Sequence, residues 1–331
     1  RNLSIDELDN CPYFMLVADD IELFESEFNK LSVTLDKNIP IKIVAVKSDN
    51  SRSDEEIADL HTQAELGSVM LSHKNIYVAQ CTSITPKELF NVFQDGLTAF
   101  APAVFNILNV DAETHDNPYL WTSASIESRD FPGFIYEGML GTPWGSRFTV
   151  DNNPQPNLNW PKHEVECVNK DGDKENLEVA FTFADLAILN PAYHYHFMDI
   201  EPQFWTDKLI TLDQYIDNTR EENIGKLPFI WTMDGNSILH KTCVSWQVAL
   251  AAQERLDFWR FLQENSGIHN YHVAIAKEKT TAELEKKHDE ALNILREAHQ
   301  KELDEVRKEE AGKVMDKLTS VLLNLDSAAI D

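Results

Sequence analysis

The chain predicts an α/β fold, a parallel sheet flanked by helices, followed by a loop-rich extension and a long C-terminal helix. Three observations carry this. Short apolar runs alternate with amphipathic segments from Pro12 to Val110, which is the pattern of strands and covering helices. Between Asn109 and about Gly267 the composition turns to Pro, Trp, Asn and Asp and the periodicity weakens. From Tyr271 to Leu325 the chain is charged, with Gly312 as the main helix breaker. The expected domains are residues 1–125, 126–268 and 269–331.

Taken in order, Tyr13 to Val17 reads as a strand and Leu23 to Leu35 as a helix whose stripe is Leu23, Phe24, Phe28, Leu31 and Leu35. IKIVAV (Ile41 to Val46) reads as a buried strand. Asp54 to Leu71 is helical, NIYVAQC (Asn75 to Cys81) a strand, Pro86 to Ala99 a helix with Thr85 at its N-cap, and AVFNIL (Ala103 to Leu108) a further strand. In the extension, Trp144, Trp160, Phe181, Phe183, Trp205, Trp231, Trp246 and Trp259 supply apolar surface that a disordered segment would lack. LPFIWTMDGNSILHKTCV predicts a hairpin turning at Asp234-Gly235-Asn236, and Trp246 to Glu264 an amphipathic helix. In the last section Leu292, Leu303, Val314 and Leu325 recur every eleven residues, and Leu284, Leu295 and Val306 form a second row at that interval. Eleven residues are close to three turns, so both rows keep to one side of a nearly straight helix. That side needs a partner, either the helix's own domain or another helix in a coiled coil.

With 331 residues and 43% hydrophobic content the chain can bury a large core. Its 29 basic and 56 acidic residues give a net charge of -27, which repels phosphate backbones and anionic bilayers; neither nucleic acid nor a membrane is an expected partner. Cys11, Cys81, Cys167 and Cys243 lie far apart without C-x-x-C spacing, as suits a reducing compartment, and a cytoplasmic protein is expected. The apolar pattern begins almost at Arg1, which reads as a piece of a longer chain.

VADDIELFESEF (Val17 to Phe28) places two aspartates at a strand's carboxyl end, where open α/β sheets bind ligands. With IPIKIVAVK after it, this stretch resembles the thiamine-diphosphate-binding domain of the pyruvate:ferredoxin oxidoreductase (2-oxoacid:ferredoxin oxidoreductase) family. There a GDG motif ends the first strand and a strand of the type PVKVLVLD follows at the separation that divides Asp20 from Lys47 here. ELGSVMLSHKNIYVAQC resembles the family's DLG…GNVYVAQV, APAVFNILNV its GPxLIxxYAPC strand, and RDFPGFIYEG with RFTVDNNP its WPLYRYNP and NPFxLD. The likeness covers about residues 12 to 155.

The resemblance implies thiamine diphosphate held through a magnesium ion, with Asp20 as metal ligand and Ser53 nearby in the cofactor loop. Such a cofactor attacks a 2-oxo acid, and electrons pass to iron–sulfur clusters elsewhere in the parent protein. The motifs depart from this at most positions. Asp19-Asp20-Ile21 stands for GDG, so an acid and a branched side chain replace glycines that let the backbone approach a diphosphate. Lys47 stands for an aspartate, Ser53-Asp54-Glu55-Glu56 for the metal-binding NTGG loop, and Asp111 at or beside the cluster-ligating cysteine. Carboxylates crowding a diphosphate cost on the order of several kcal/mol. The expectation is a degenerate domain that binds no cofactor in this chain and acts in assembly with the remaining domains or subunits of its parent, as a homo-oligomer. A working thiamine-diphosphate domain with magnesium is the alternative. In the first case Asp20 serves as a strand-end carboxylate at the start of the next helix.

Two further constellations have weaker chemistry. His194 and His196 in AYHYHF would share one face of a strand, with Asp199 near, as two ligands of a metal lacking a third. Cys81 needs a base and a lowered pKa to act as a nucleophile, and reads as a buried thiol. No nucleophile elbow and no phosphate-binding glycine loop occurs.

Overall fold

The computed structural model describes residues 4, 14–37, 39–48, 60, 65–111, 115, 117–141, 143–168 and 174–327. It comprises two compact units, Arg1–Asn270 and Tyr271–Asp331. Among the described residues no helix is long and apolar enough to cross a membrane.

In the first unit β1 (Phe14–Asp19), β2 (Ile41–Ser48), β3 (Tyr77–Thr82), β4 (Ala103–Asn109), β5 (Phe134–Glu137) and β6 (Phe148–Thr149) form a six-stranded sheet in the order β1-β2-β4-β3-β5-β6. The first four strands are parallel, as the alternating pattern predicts. The sheet as a whole is mixed. Phe134 enters opposite Gln80, near the carboxyl end where β4 left the sheet, so β5 descends antiparallel to β3. The boundary expected at residue 125 falls inside a helix, and the strands beyond it complete this sheet.

Period-2 alternation sorts the central strands between two cores. Ile43, Ala45, Val78 and Val104 face one side, packing with α1 (Phe28–Leu35) and α2 (Leu66–Met70). Val44, Tyr77, Ala79, Cys81, Phe105 and Ile107 face the other, under Val92 of α3 (Pro86–Thr98). Gly96 permits this approach, because a Cβ there would stand 2.5 Å from the Phe105 ring. The helix expected from Leu23 to Leu35 is interrupted: Glu22–Ser26 is a π-helix, Glu27 leaves helical geometry at φ -112°, and α1 starts anew at Phe28. Thr85 occupies the N-cap of α3, where its hydroxyl donates to Glu88 (3.0 Å) in place of accepting a backbone N–H.

After α4 (Pro118–Glu127) the extension adds the hairpin β7 (Lys162–Val168) and β8 (Lys174–Ala180), then the short α5 (Phe183–Ala187). A second sheet has the order β10-β11-β12-β9, made of β9 (Phe197–Ile200), β10 (Leu209–Thr211), β11 (Leu227–Met233) and β12 (Leu239–Val244). The expected hairpin is β11–β12. Asp234 organises its turn by accepting the N–H groups of Asn236 (2.8 Å) and Ile238 (2.9 Å), and Ser237 takes the left-handed conformation. Beyond α6 (Leu212–Asp217), α7 (Trp246–Ser266) begins at Ser245, whose hydroxyl accepts from Val248 N–H (3.4 Å), and ends at the left-handed Gly267. Val248, Ala252, Leu256 and Trp259 of α7 belong to the same apolar cluster as the first sheet and Ile230 and Val244 of the second. The second unit is a single helix, α8 (Tyr271–Ser327), as the charge pattern predicts.

Lys42, in the middle of β2, is fully buried. Its ammonium donates to the carbonyls of Gly96 (2.8 Å), Ala99 (2.6 Å) and Ala101 (2.9 Å). It thereby satisfies the orphan carbonyls at the C-terminal end of α3 and the turn after it, where the helix dipole favours a cation. Burial lowers its pKa to about 8, which leaves it largely charged at neutral pH. We expect Lys42→Met, which keeps the stem and removes the donors, to destabilise the protein by about 2–3 kcal/mol. The check is the urea midpoint at unchanged slope; an unchanged midpoint would show that this clamp contributes nothing.

Candidate functional site

The carboxyl ends of the parallel strands are where the sequence places a site. Asp19 pairs with Val46, so one residue further on Asp20 and Lys47 stand level at the ends of β1 and β2. Asp20 is buried. Its neighbour Asp19 meets the next helical segment, its Oδ1 accepting the Ile21 N–H at 3.0 Å. Ser53 and the acidic loop around it lie outside the described residues.

Lys47 points to Glu65, the N-cap residue of α2, and the two form an ion pair in which both side chains are largely withdrawn from water. The Lys47 ammonium also lies 5.1 Å from the centroid of the Phe131 ring. Phe131 packs with Leu108, Val110 and Trp121, and His115 stacks on Trp121 at 4.0 Å. The strand ends therefore carry an internal ion pair set against an apolar plug. Below them Asn106 donates to the Gln80 carbonyl oxygen (3.0 Å) and Gln80 to the Pro132 carbonyl (2.9 Å), a buried polar link between β4, β3 and the approach to β5.

A magnesium ion bridging two phosphates needs several oxygen ligands. Among the described residues no group of three His, Cys, Asp or Glu side chains is arranged to hold a metal. Where the family resemblance calls for an acid, a cation stands, and it is already neutralised by Glu65. At this position Lys47 offers no oxygen ligand.

The other candidates separate in space. His194 and His196 lie on a 3-10 helix, not on a strand. His194 meets the Ile188 carbonyl (3.1 Å), whereas His196 turns inward to the Ser245 hydroxyl (2.8 Å); Asp199 accepts from Thr242 (2.5 Å). The pair is structural. Cys81 is buried, and burial, with the Glu88 charge adding to it, pushes its thiol up to about 12, the opposite of a nucleophile. Lys241 fills a box of its own aromatic rings, 4.3 Å from the Phe229 centroid, 5.0 Å from Trp205 and 5.1 Å from Trp231.

Sequence reasoning missed Arg129 and Arg255. Arg129 is fully buried and donates to the carbonyls of Pro154, Gln155, Leu158 and Asn159 at 3.0–3.4 Å. Arg255 joins Asp130 (2.7 Å) to the carbonyls of Leu60 and Ala251 and lies 3.5 Å from the Phe183 centroid. The available signal was PQPNLNWP, a compact loop whose carbonyls need donors from elsewhere.

No family model matches the chain, and no curated protein sequence matches it.

Because its thiol is both protonated and enclosed, Cys81 in the native protein should resist iodoacetamide at pH 8 and react only after unfolding. Mass spectrometry of the alkylated peptides reads this directly; rapid native labelling of Cys81 would contradict the burial and the raised pKa.

Proposed function

We propose that this chain is a C-terminal part of a pyruvate:ferredoxin oxidoreductase-like protein whose thiamine-diphosphate-type α/β domain has lost its cofactor chemistry and serves the assembly of domains or subunits, in the cytoplasm. The observation that carries the reading is the Lys47–Glu65 pair at the strand ends. A cation stands in the place of a metal-binding acid and is paired from within, so this position offers an incoming metal ion no ligand.

A second observation supports assembly. β1 is an edge strand, and Phe14, Met15, Leu16 and Val17 are exposed on both of its faces. Edge strands of isolated domains are ordinarily blunted by charge, proline or a covering element. Four consecutive exposed apolar residues on an edge mark a surface that another element covers.

Thermal melting with thiamine diphosphate and magnesium tests the proposal. Binding to the folded state alone raises apparent stability with ligand concentration. We expect no saturable rise in Tm. A saturable rise abolished by Asp20→Ala would restore the catalytic reading and sink this one.

A further inference from the structure

α8 is one unbroken helix of 57 residues. Its eleven-residue repeat advances about 98° per residue, which puts the two apolar rows about 65° apart. Midway between them runs a third row, His288, His299, Glu310 and Val321. The apolar residues of the outer rows, Leu284, Leu295 and Val306 on one side and Leu292, Leu303 and Val314 on the other, are all exposed along the helix. The seam is thus a broad apolar stripe with a polar centre. On its two edges, about 65° from the centre line, lie Glu285, Arg296 and Arg307 on one side and Ala291, Glu302 and Lys313 on the other.

The edge charges choose an occupant and an orientation. In a parallel, in-register pair each edge faces the opposite edge of the other helix, as e and g positions do in a coiled coil. Arg296 and Arg307 of one copy then close on Glu302 of the second copy from either side. Antiparallel pairing would instead set the arginine-bearing edge against itself. Lys313, the remaining edge cation, is bridged on its own helix by Glu309 (3.2 Å) and Glu310 (3.0 Å), so the Arg307 of a second copy meets a neutralised group. Charge balance points the same way. α8 has ten basic and thirteen acidic residues, whereas the whole chain carries -27, so pairing through this helix brings together its least repulsive part.

We infer that α8 is a self-association element that pairs with α8 of a second copy as a parallel, in-register two-stranded coil. The polar row, which sets Glu310 against its own copy, costs stability, and the edge charges fix the register. The inference is independent of whether the strand ends bind a cofactor, which the thiamine-diphosphate titration decides separately.

Sedimentation equilibrium of the full chain at micromolar concentration should give twice the 37.8 kDa monomer mass. Two variants then test the orientation: Arg296→Glu with Arg307→Glu, and Glu302→Lys. Each alone juxtaposes like charges across the seam and should weaken dimerisation about tenfold or more. An equimolar mixture restores both opposite-charge contacts and should form a heterodimer at least as tight as the wild-type dimer. Circular dichroism should be unchanged, since every altered residue is on the surface of α8. A monomeric wild-type chain would overturn the proposal, as would a dimer indifferent to both variants or a mixture that pairs no better than its components.

Discussion

The first unit depends on the burial of one guanidinium. Arg129 sits after α4 with φ 57° and lies flat against the Trp259 ring, 3.9 Å from its centroid. Trp259, itself fully buried, donates its indole N–H to the Leu158 carbonyl (2.9 Å), and Gln263 one turn on donates to Pro156 (2.9 Å). A compact loop with prolines at 154, 156 and 161 folds around these groups, its carbonyls turned inward. An unpaired buried charge would cost several kcal/mol. Here Nε and Nη2 meet four carbonyls and the group faces the indole, while Nη1 is buried without a hydrogen-bond partner; burial brings Arg129 down to about 9, which leaves it charged at neutral pH. The same contacts decide that the extension packs into the α/β domain, since α7 brings Trp259 and Gln263 to the loop and Arg255 to Asp130.

Much of the α/β domain was legible because its central strands are buried on both faces. Such strands read as continuous apolar runs, and β2, β3 and β4 lie within two residues of where those runs place them. The interruption of the first helix was not legible: the stripe from Leu23 to Leu35 is intact, and the π-helical turn preserves it at the expense of regular hydrogen bonding. β5 and β6 were hidden for a different reason. FIYE and FT are too short for periodicity to register, and their place in the sheet is fixed by where the chain re-enters it, a tertiary fact.

The candidate site was legible as a location and only partly as chemistry. Asp20 and Lys47 stand level at the strand ends, but the partner of Lys47 is Glu65, eighteen residues further on and unmarked by any local pattern. Buried polar groups were the general blind spot. Lys42 interrupts an otherwise apolar strand, and nothing local says that three carbonyls wait for it across the sheet. His194 and His196 misled in the opposite sense, because an i, i+2 pair shares a face only if the backbone is extended, and the proline at 191 opens a 3-10 helix there.

Among the described residues the core is built mainly from the strand middles, α1, α3 and α7. Lys47, paired with Glu65, sets a fixed cation at the ends of β1 and β2. Both partners are largely buried, so removing either would strand the other's charge at a cost of about 3–5 kcal/mol. Neither member of the pair can therefore be replaced alone without a cost to the fold.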